Sequence, residues 1–381
     1  MFQPLILHAP SRRDAVVVDL PVVLAPMAGV TNAAYRQLCR EQGAGLYVCE
    51  MITSRGLVVG DPKTRAMLQF DPGETTRSVQ LYGVDPEPMA EAARILIRDY
   101  QVQHIDLNFG CPVPKVTRKG GGGVLPYKRE RLRAIVRATV RAADEHGVPV
   151  TIKTRLGIDE DHETFLDAGR IAQEEGAAAI ALHARTVQQA YSGEADWERI
   201  AELVRAVDIP VLGNGDIWEA EDALEMMTRT GCAGVVIGRG CLGRPWLFGD
   251  LAAAFRGEGQ RLRPRLGEVG TMLLRHAELL SGIMGERHGL TDLRKHMAWY
   301  FKGYPVGDLR RSFAMVSSLD ELRGLVARLD AEAEFPVTEL GTPRGRQGSP
   351  RGKVVVPYGW YDDTSGSDLD LADAEVGVSG G

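Results

Sequence analysis

Cys111 lies in Gly110-Cys111-Pro112, just after the apolar run His104–Leu107. A thiol with an ordinary pKa of about 8.5 stays protonated at neutral pH, so on such a loop it reads as a proton donor rather than a base. Lys153 stands inside a second apolar run, Val150–Thr154. An ammonium facing the inside of a sheet is costly unless it meets an anion or a polar ring. A reduced isoalloxazine, negative near N1, suits it; a Schiff-base lysine and a structural salt bridge are the other readings. Two further apolar runs end in glycine turns, Gly213-Asn214-Gly215-Asp216 and Gly238-Arg239-Gly240. Glycine lets backbone N–H groups approach a phosphate, and Arg239 adds a charged fork. The plainer reading makes both only tight turns.

His183 and Arg185 are two residues apart at the end of another run, so both are expected to face the same way. His183 then meets a flavin or its phosphate, and Arg185 a substrate phosphate or base. After Cys111 come Lys115, Arg118, Lys119 and the run Gly120–Gly123. These read as a mobile basic loop able to close over a polyanion. Cys39, Cys49, Cys232 and Cys241 read as inert buried thiols.

Elements that could bring these groups together are visible as a repeating pattern. Strand-like runs fall at Val22–Pro26, Leu46–Cys49, Ser78–Leu81, His104–Leu107, Val150–Thr154, Ala179–His183, Val211–Gly213 and Gly234–Ile237. Amphipathic helical patterns separate most of them, as at 87–99, 130–145, 163–175, 197–206 and 220–230. Eight strands buried on both faces, alternating with helices, predict an α/β fold, a parallel (β/α)8 barrel. In such a barrel, chemistry collects where strands end. A doubly wound open sheet is the alternative, disfavoured because no GxGxxG opens the first unit. The reading divides the chain into a catalytic barrel at 1–255, an all-helical domain at 256–335 and a disordered acidic tail at 336–381. Arg287, His288, Arg294, Lys295, His296, Lys302, Arg310 and Arg311 give the helical domain a basic side.

Six of the 51 acidic residues lie in 354–381, which has no Lys or Arg; the remainder balances 45 Lys and Arg, so overall charge neither proposes nor excludes a nucleic-acid partner. The odd count of 5 cysteines without CxxC pairs argues against a disulfide framework or a structural metal, and for a reducing cytoplasm. No apolar run is long enough to cross a bilayer, and no secretory signal is visible at the start.

The motifs LAPMAGVTNAAYRQLC, SVQLYGVDPEPMAEAA, IDLNFGCPVPKV, TIKTRLGID, ALHARTVQQAYSGEADW, PVLGNGDI, GVVIGRGCLGRPWLF and RKHMAWYFKGYP span about residues 22–303. Together they resemble the tRNA-dihydrouridine synthases, in particular the bacterial branch that includes DusB. The resemblance implies FMN- and NADPH-dependent reduction of the C5–C6 double bond of uridine in tRNA, by a cytoplasmic protein read as a monomer. It makes Cys111 the catalytic acid. It assigns Pro26, Met27, Ala28, Gln80, Lys153, Asn214, Gly215, Asp216, Gly238 and Arg239 to FMN, with His183 a further flavin contact. Asn108 and Arg185 fall to the substrate, and no residue to a metal. Three features depart from the pattern: Asn32 replaces an Asp, Gly120–Gly123 replaces Gly-Ser-Ala and is expected to be looser, and the tail has no counterpart. Two rival classes share some of these residues. A flavin barrel reducing a free small molecule explains Lys153 and the phosphate turns without the helical domain. A non-catalytic tRNA-binding protein explains the helical domain without Cys111 and Lys153.

Overall fold

The computed structural model describes residues 2–11, 15–43, 45–349, 352–366 and 375. Eight parallel strands close into a barrel: β3 (Val22–Leu24), β4 (Leu46–Thr53), β5 (Ser78–Tyr82), β6 (His104–Phe109), β7 (Val150–Arg155), β8 (Ala179–His183), β9 (Val211–Asn214) and β10 (Gly234–Ile237). Pairing of β10 with β3, with Val235 opposite Val22, closes the ring and rules out an open sheet. Outward residues such as Val22, Leu24, Ile105, Ile152, Ile180 and Ile237 are fully buried beneath the surrounding helices. That explains why the strands read as unbroken apolar runs rather than alternating ones.

The inward residues fill the barrel in layers. Val23, Ala25, Leu46, Val48, Ala179, Ala181, Leu212 and Val236 form the lower, apolar layer. Below them lies a hairpin that the sequence reading missed, β1 (Leu5–His8) paired antiparallel with β2 (Ala15–Val18). Its Leu5, Leu7 and Val18 are buried against the lower layer and plug the floor. The next layer is polar, with His104, Asp106 and Thr151 beside Lys153.

After the barrel come four helices without intervening strands: Leu266–Met284, Glu286–Tyr300, Leu309–Met315 and Leu319–Val326. The first two pack as a pair, and the first also packs on helix Ala33–Arg40 of the barrel. Tyr35 anchors this junction, its hydroxyl donating to the Cys241 carbonyl and its ring lying 5.4 Å from His276 and 5.7 Å from His296. His296, expected on a basic surface, is instead fully buried, and burial holds it well below the usual histidine pKa. It contributes no charge there. No helix among the described residues is long and apolar enough to cross a membrane.

Two expectations of looseness require correction. The run Gly120–Gly123 is buried, and a Cβ at Gly121 would lie 2.1 Å from the Tyr82 hydroxyl, one at Gly122 2.6 Å from the Cys111 carbonyl, and one at Gly123 2.4 Å from Val187. Glycine here permits close packing rather than motion. The segment expected to be disordered is docked at several buried points, Arg344, Val354, Trp360, Gly366 and Glu375, with exposed stretches between them; residues 350–351, 367–374 and 376–381 lie outside the described residues. Trp360 is 1% exposed, packs with Val124, Ile158, Val187 and Val354, and has the Lys128 ammonium 4.9 Å from its ring. Carbonyls of Thr364 and Ser365 accept from Arg129, Glu130 and Arg131 N–H, capping the start of helix Arg129–Asp144. Composition pointed to disorder because it averages over the segment; a few apolar residues, Val354 and Trp360 foremost, and a set of helix-capping carbonyls are enough to dock it.

Replacing Trp360 with Ala is expected to release this strap, since truncating a buried Trp costs about 3–5 kcal/mol. Amide hydrogen exchange at Arg129–Arg131 should then speed up by about tenfold or more. Exchange at the wild-type rate would show that the strap does not hold the start of this helix.

Candidate active site

A cavity of about 460 Å³ opens where the strands end. Thirteen of the fourteen residues singled out from the sequence line it: Pro26, Met27, Ala28, Gln80, Asn108, Cys111, Lys153, His183, Asn214, Gly215, Asp216, Gly238 and Arg239. Groups from seven strand ends therefore converge on one mouth. In the first of these loops, the Asn32 side chain caps helix Ala33–Arg40 by accepting from Tyr35 N–H. Its replacement of Asp keeps that function.

The side chains beneath Cys111 form a directed network. Asp106 Oδ2 accepts from Gln80 Nε2 at 2.7 Å, and Gln80 Oε1 accepts from Asn108 Nδ2 at 2.7 Å. Asn108 Oδ1 in turn accepts from the Gly110 and Cys111 N–H groups at 3.1 and 3.0 Å. On the other side, Thr151 donates to Asp106 Oδ1 at 2.6 Å; His104 bridges Thr151 and Ser78 at 3.0 and 2.7 Å. Burial holds His104 at a pKa of about 3, so the ring is neutral, and Ser78 donates to Nδ1 while Nε2 donates to Thr151. The carboxylate at one end only accepts, and the two backbone N–H groups at the other only donate. Those two facts fix the orientation of both amides between them.

Lys153 Nζ donates to Asn214 Oδ1 at 3.0 Å, and Asn214 Nδ2 donates to the Val236 carbonyl at 2.7 Å. Burial, then repulsion from Arg155, brings Lys153 down to a pKa of about 8, against the attraction of Asp106. Burial raises Asp106 to about 6, opposed by Thr151, Gln80 and the Lys153 charge. His183 is held well below its usual value by burial and by the cations Arg155, Lys153, Arg185 and Arg239, so it is a neutral ring.

Arg185 does not line the cavity. Strand β8 ends at His183, where the chain turns so that Arg185 N–H donates to the His183 carbonyl at 2.7 Å. The two-residue alternation therefore stops before Arg185. Its guanidinium is buried behind the Gly215 turn, donating to Ser192 and Gly193 carbonyls and to both Asp216 oxygens at 2.8 Å. Asp216 adopts φ 53°, rare for a residue with a side chain, and this pairing together with Ala195 N–H at 2.7 Å secures it.

Arg155, which stands beside Lys153 at a strand end but was given no role, also lines the cavity, as do Tyr191, Trp218, Met51, Trp299 and Arg346, which were not singled out. Arg155 donates to the Gly110, Thr186 and Ala190 carbonyls at 2.7, 3.1 and 2.9 Å, clamping the Cys111 loop to the loop after β8. Its spacing of two from Lys153 on the same strand was the available signal. Tyr191 and Trp218 hold the Arg239 guanidinium at 4.8 and 5.1 Å from their ring centres. Neither carries a sequence signal of its own.

Asp106→Asn should leave a buried donor facing a donor and lower stability to urea by about 1–3 kcal/mol. Combining it with Gln80→Glu restores every donor–acceptor match and should recover most of that loss. Equal urea midpoints for the single variant and wild type would contradict the network.

The family model for dihydrouridine synthases (Dus) matches residues 23–334. A probable tRNA-dihydrouridine synthase of Mycobacterium tuberculosis is 56% identical over 352 residues, covering 90% of each chain. One from Mycobacterium leprae is 51% identical over 387 residues, 94% of this chain and 100% of its own. The tRNA-dihydrouridine synthase B of Pseudomonas aeruginosa is 39% identical and covers 82% of this chain and 93% of its own. Among solved structures, an old yellow enzyme homologue from Zymomonas mobilis superposes with a TM-score of 0.51 at 12% identity, over 68% of this chain and 93% of its own. That likeness is one of fold. By the extent of the family match and by these relatives, the chain belongs to the dihydrouridine synthase family.

Proposed function

We propose that the chain is a tRNA-dihydrouridine synthase that uses FMN, recharged by NADPH, with Cys111 as the general acid. The observation that carries this reading is that Cys111, Lys153 and Arg239, distant in sequence, line one cavity.

The cavity fits a flavin phosphate and ring. A Cβ on Gly238 would meet nothing nearer than Ala25 at 3.9 Å, so neighbouring protein atoms do not demand glycine there. A ligand approaching the backbone would. His183 Nε2 is buried without a hydrogen-bond partner among the described residues, as is Arg185 Nη1 beneath the same turn. The turn Asn214–Asp216, Gly238 and Arg239 would hold the phosphate. Lys153 would face the ring, where its charge favours the reduced, anionic form.

When bound, FMN supplies hydride to the C5–C6 double bond of uridine. Cys111 gives the proton that C5 takes up. Asn108, whose amide is fixed by Asp106 through Gln80, presents an ordered polar edge to the uracil ring, while Gln80 falls to the flavin. Such a ring must leave its stack to enter the cavity. The helical region supplies the tRNA contacts. Arg287, His288, Arg310 and Arg311 are exposed there, and Lys295 lies 3.5 Å from the Cβ position of Gly29 at the cavity rim. Arg294 and Lys302 serve structure instead, donating to Val316 and to Thr342 and Pro343.

Cys111→Ala should keep its flavin and oxidise NADPH with a free acceptor, while dihydrouridine formation in tRNA falls by about 100-fold or more. The check is a dihydrouridine map of unmodified tRNA incubated with each protein. Wild-type modification by the variant would remove Cys111 from its role.

A further inference from the structure

The family match ends at residue 334, yet Arg346 lines the cavity. The segment carrying it is anchored on both sides of the cavity wall. Arg344 is 4% exposed and donates to the Leu242 and Trp299 carbonyls at 3.1 and 3.0 Å. Lys302 holds Thr342, Pro343 and Glu339, and Gly341 N–H donates to Glu219. Gly345 turns the chain at φ 68° and sits on the Arg239 stem, its Cβ position 3.7 Å from Arg239 Cδ. Arg239 Nη1 then donates to the Arg346 carbonyl at 2.7 Å. The backbone of Arg346 is thus fixed against the residue that closes the second glycine turn.

The charges around it call for an anion. Asp216 is the acidic side chain in this part of the wall, and Arg185 already binds both its oxygens at 2.8 Å, with Arg239 3.9 Å away. Among the described residues, no ion pair holds the Arg346 guanidinium. Lys153, Arg155 and Arg239 add further positive charge to the same cavity. A dianionic phosphate at the two glycine turns is the group that two guanidinium forks lining one cavity would share.

We infer that Arg346 is a second phosphate-binding arginine, supplied to the flavin site by the segment after the family-matched region. Arg239 comes from the barrel and Arg346 from outside it, and the hydrogen bond from the Arg239 guanidinium to the Arg346 carbonyl fixes the backbone from which the second, exposed guanidinium reaches. Arg344 is the positioning residue that docks the segment. This rests on the FMN reading above, and it adds a ligand that the barrel itself does not carry.

The test compares FMN with riboflavin, which has the same ring and no phosphate. Their affinities for flavin-stripped, full-length protein can be read by quenching of flavin fluorescence. Arg346→Ala should weaken FMN by about tenfold, the scale of one lost charge-assisted hydrogen bond, and leave riboflavin unchanged. Arg346→Lys should fall between, because an ammonium keeps charge without the fork. Unchanged FMN affinity in the Ala variant overturns the inference, as does an equal loss for both flavins, which would mean a packing role. A loss confined to tRNA affinity overturns it too and assigns Arg346 to the substrate. If wild-type protein fails to prefer FMN to riboflavin, the phosphate site itself is refuted, and the inference with it.

Discussion

A single carboxylate in the middle of the barrel sets the polarity of everything above it. Asp106 is 5% exposed and receives donors from two directions, Thr151 at 2.6 Å and Gln80 at 2.7 Å. Replace it mentally with an apolar residue and Gln80 loses its reason to point its oxygen at Asn108. Asn108 then has no fixed reason to accept from the Cys111 loop. The loop that carries the thiol is thereby oriented by an ion lower on its own strand, acting through the amide of Gln80 on the neighbouring strand and then that of Asn108. Burial is what gives this its strength, since in a low-dielectric interior a mismatched donor has no water to turn to.

The same burial creates an imbalance that a ligand would relieve. Lys153 and Arg155 are both pushed down, to about 8 and about 10, chiefly because they are buried. Asp106 and Asp216 offset only part of that positive charge. A site kept cationic in this way is tuned for an anion and costs the ligand-free fold some stability, as functional sites commonly do. The neutral ring of His183 shapes the same space without adding charge, and the rings of Tyr191 and Trp218 hold Arg239 in place.

The barrel was legible because period and burial are local properties. Each of the eight strands appears as an apolar run, and its ending residues announce the mouth. Cys111, Lys153 and the two glycine turns could be placed from that order alone. Arg185 could not, because its direction depends on a turn that breaks the alternation just after His183. Hairpin β1–β2 escaped notice because it stands outside the strand–helix alternation by which equally short strands such as β9 and β10 were read. Gly121–Gly123 was misread because glycine signals freedom or close packing alike, and only the neighbours Tyr82, Cys111 and Val187 decide which. Arg346 was invisible for a related reason: it sits in a polar stretch that composition marks as unstructured, and its docking depends on Arg344 finding carbonyls more than forty residues away in the chain.

The most direct measurement is single-turnover reoxidation. Protein loaded with FMN and reduced by one equivalent of NADPH would be mixed with tRNA lacking dihydrouridine, and the return of visible flavin absorbance followed. The account predicts rapid reoxidation by that tRNA, much slower reoxidation by free uridine or orotate, and little by tRNA already modified. Reoxidation by the free pyrimidines as fast as by tRNA would contradict it.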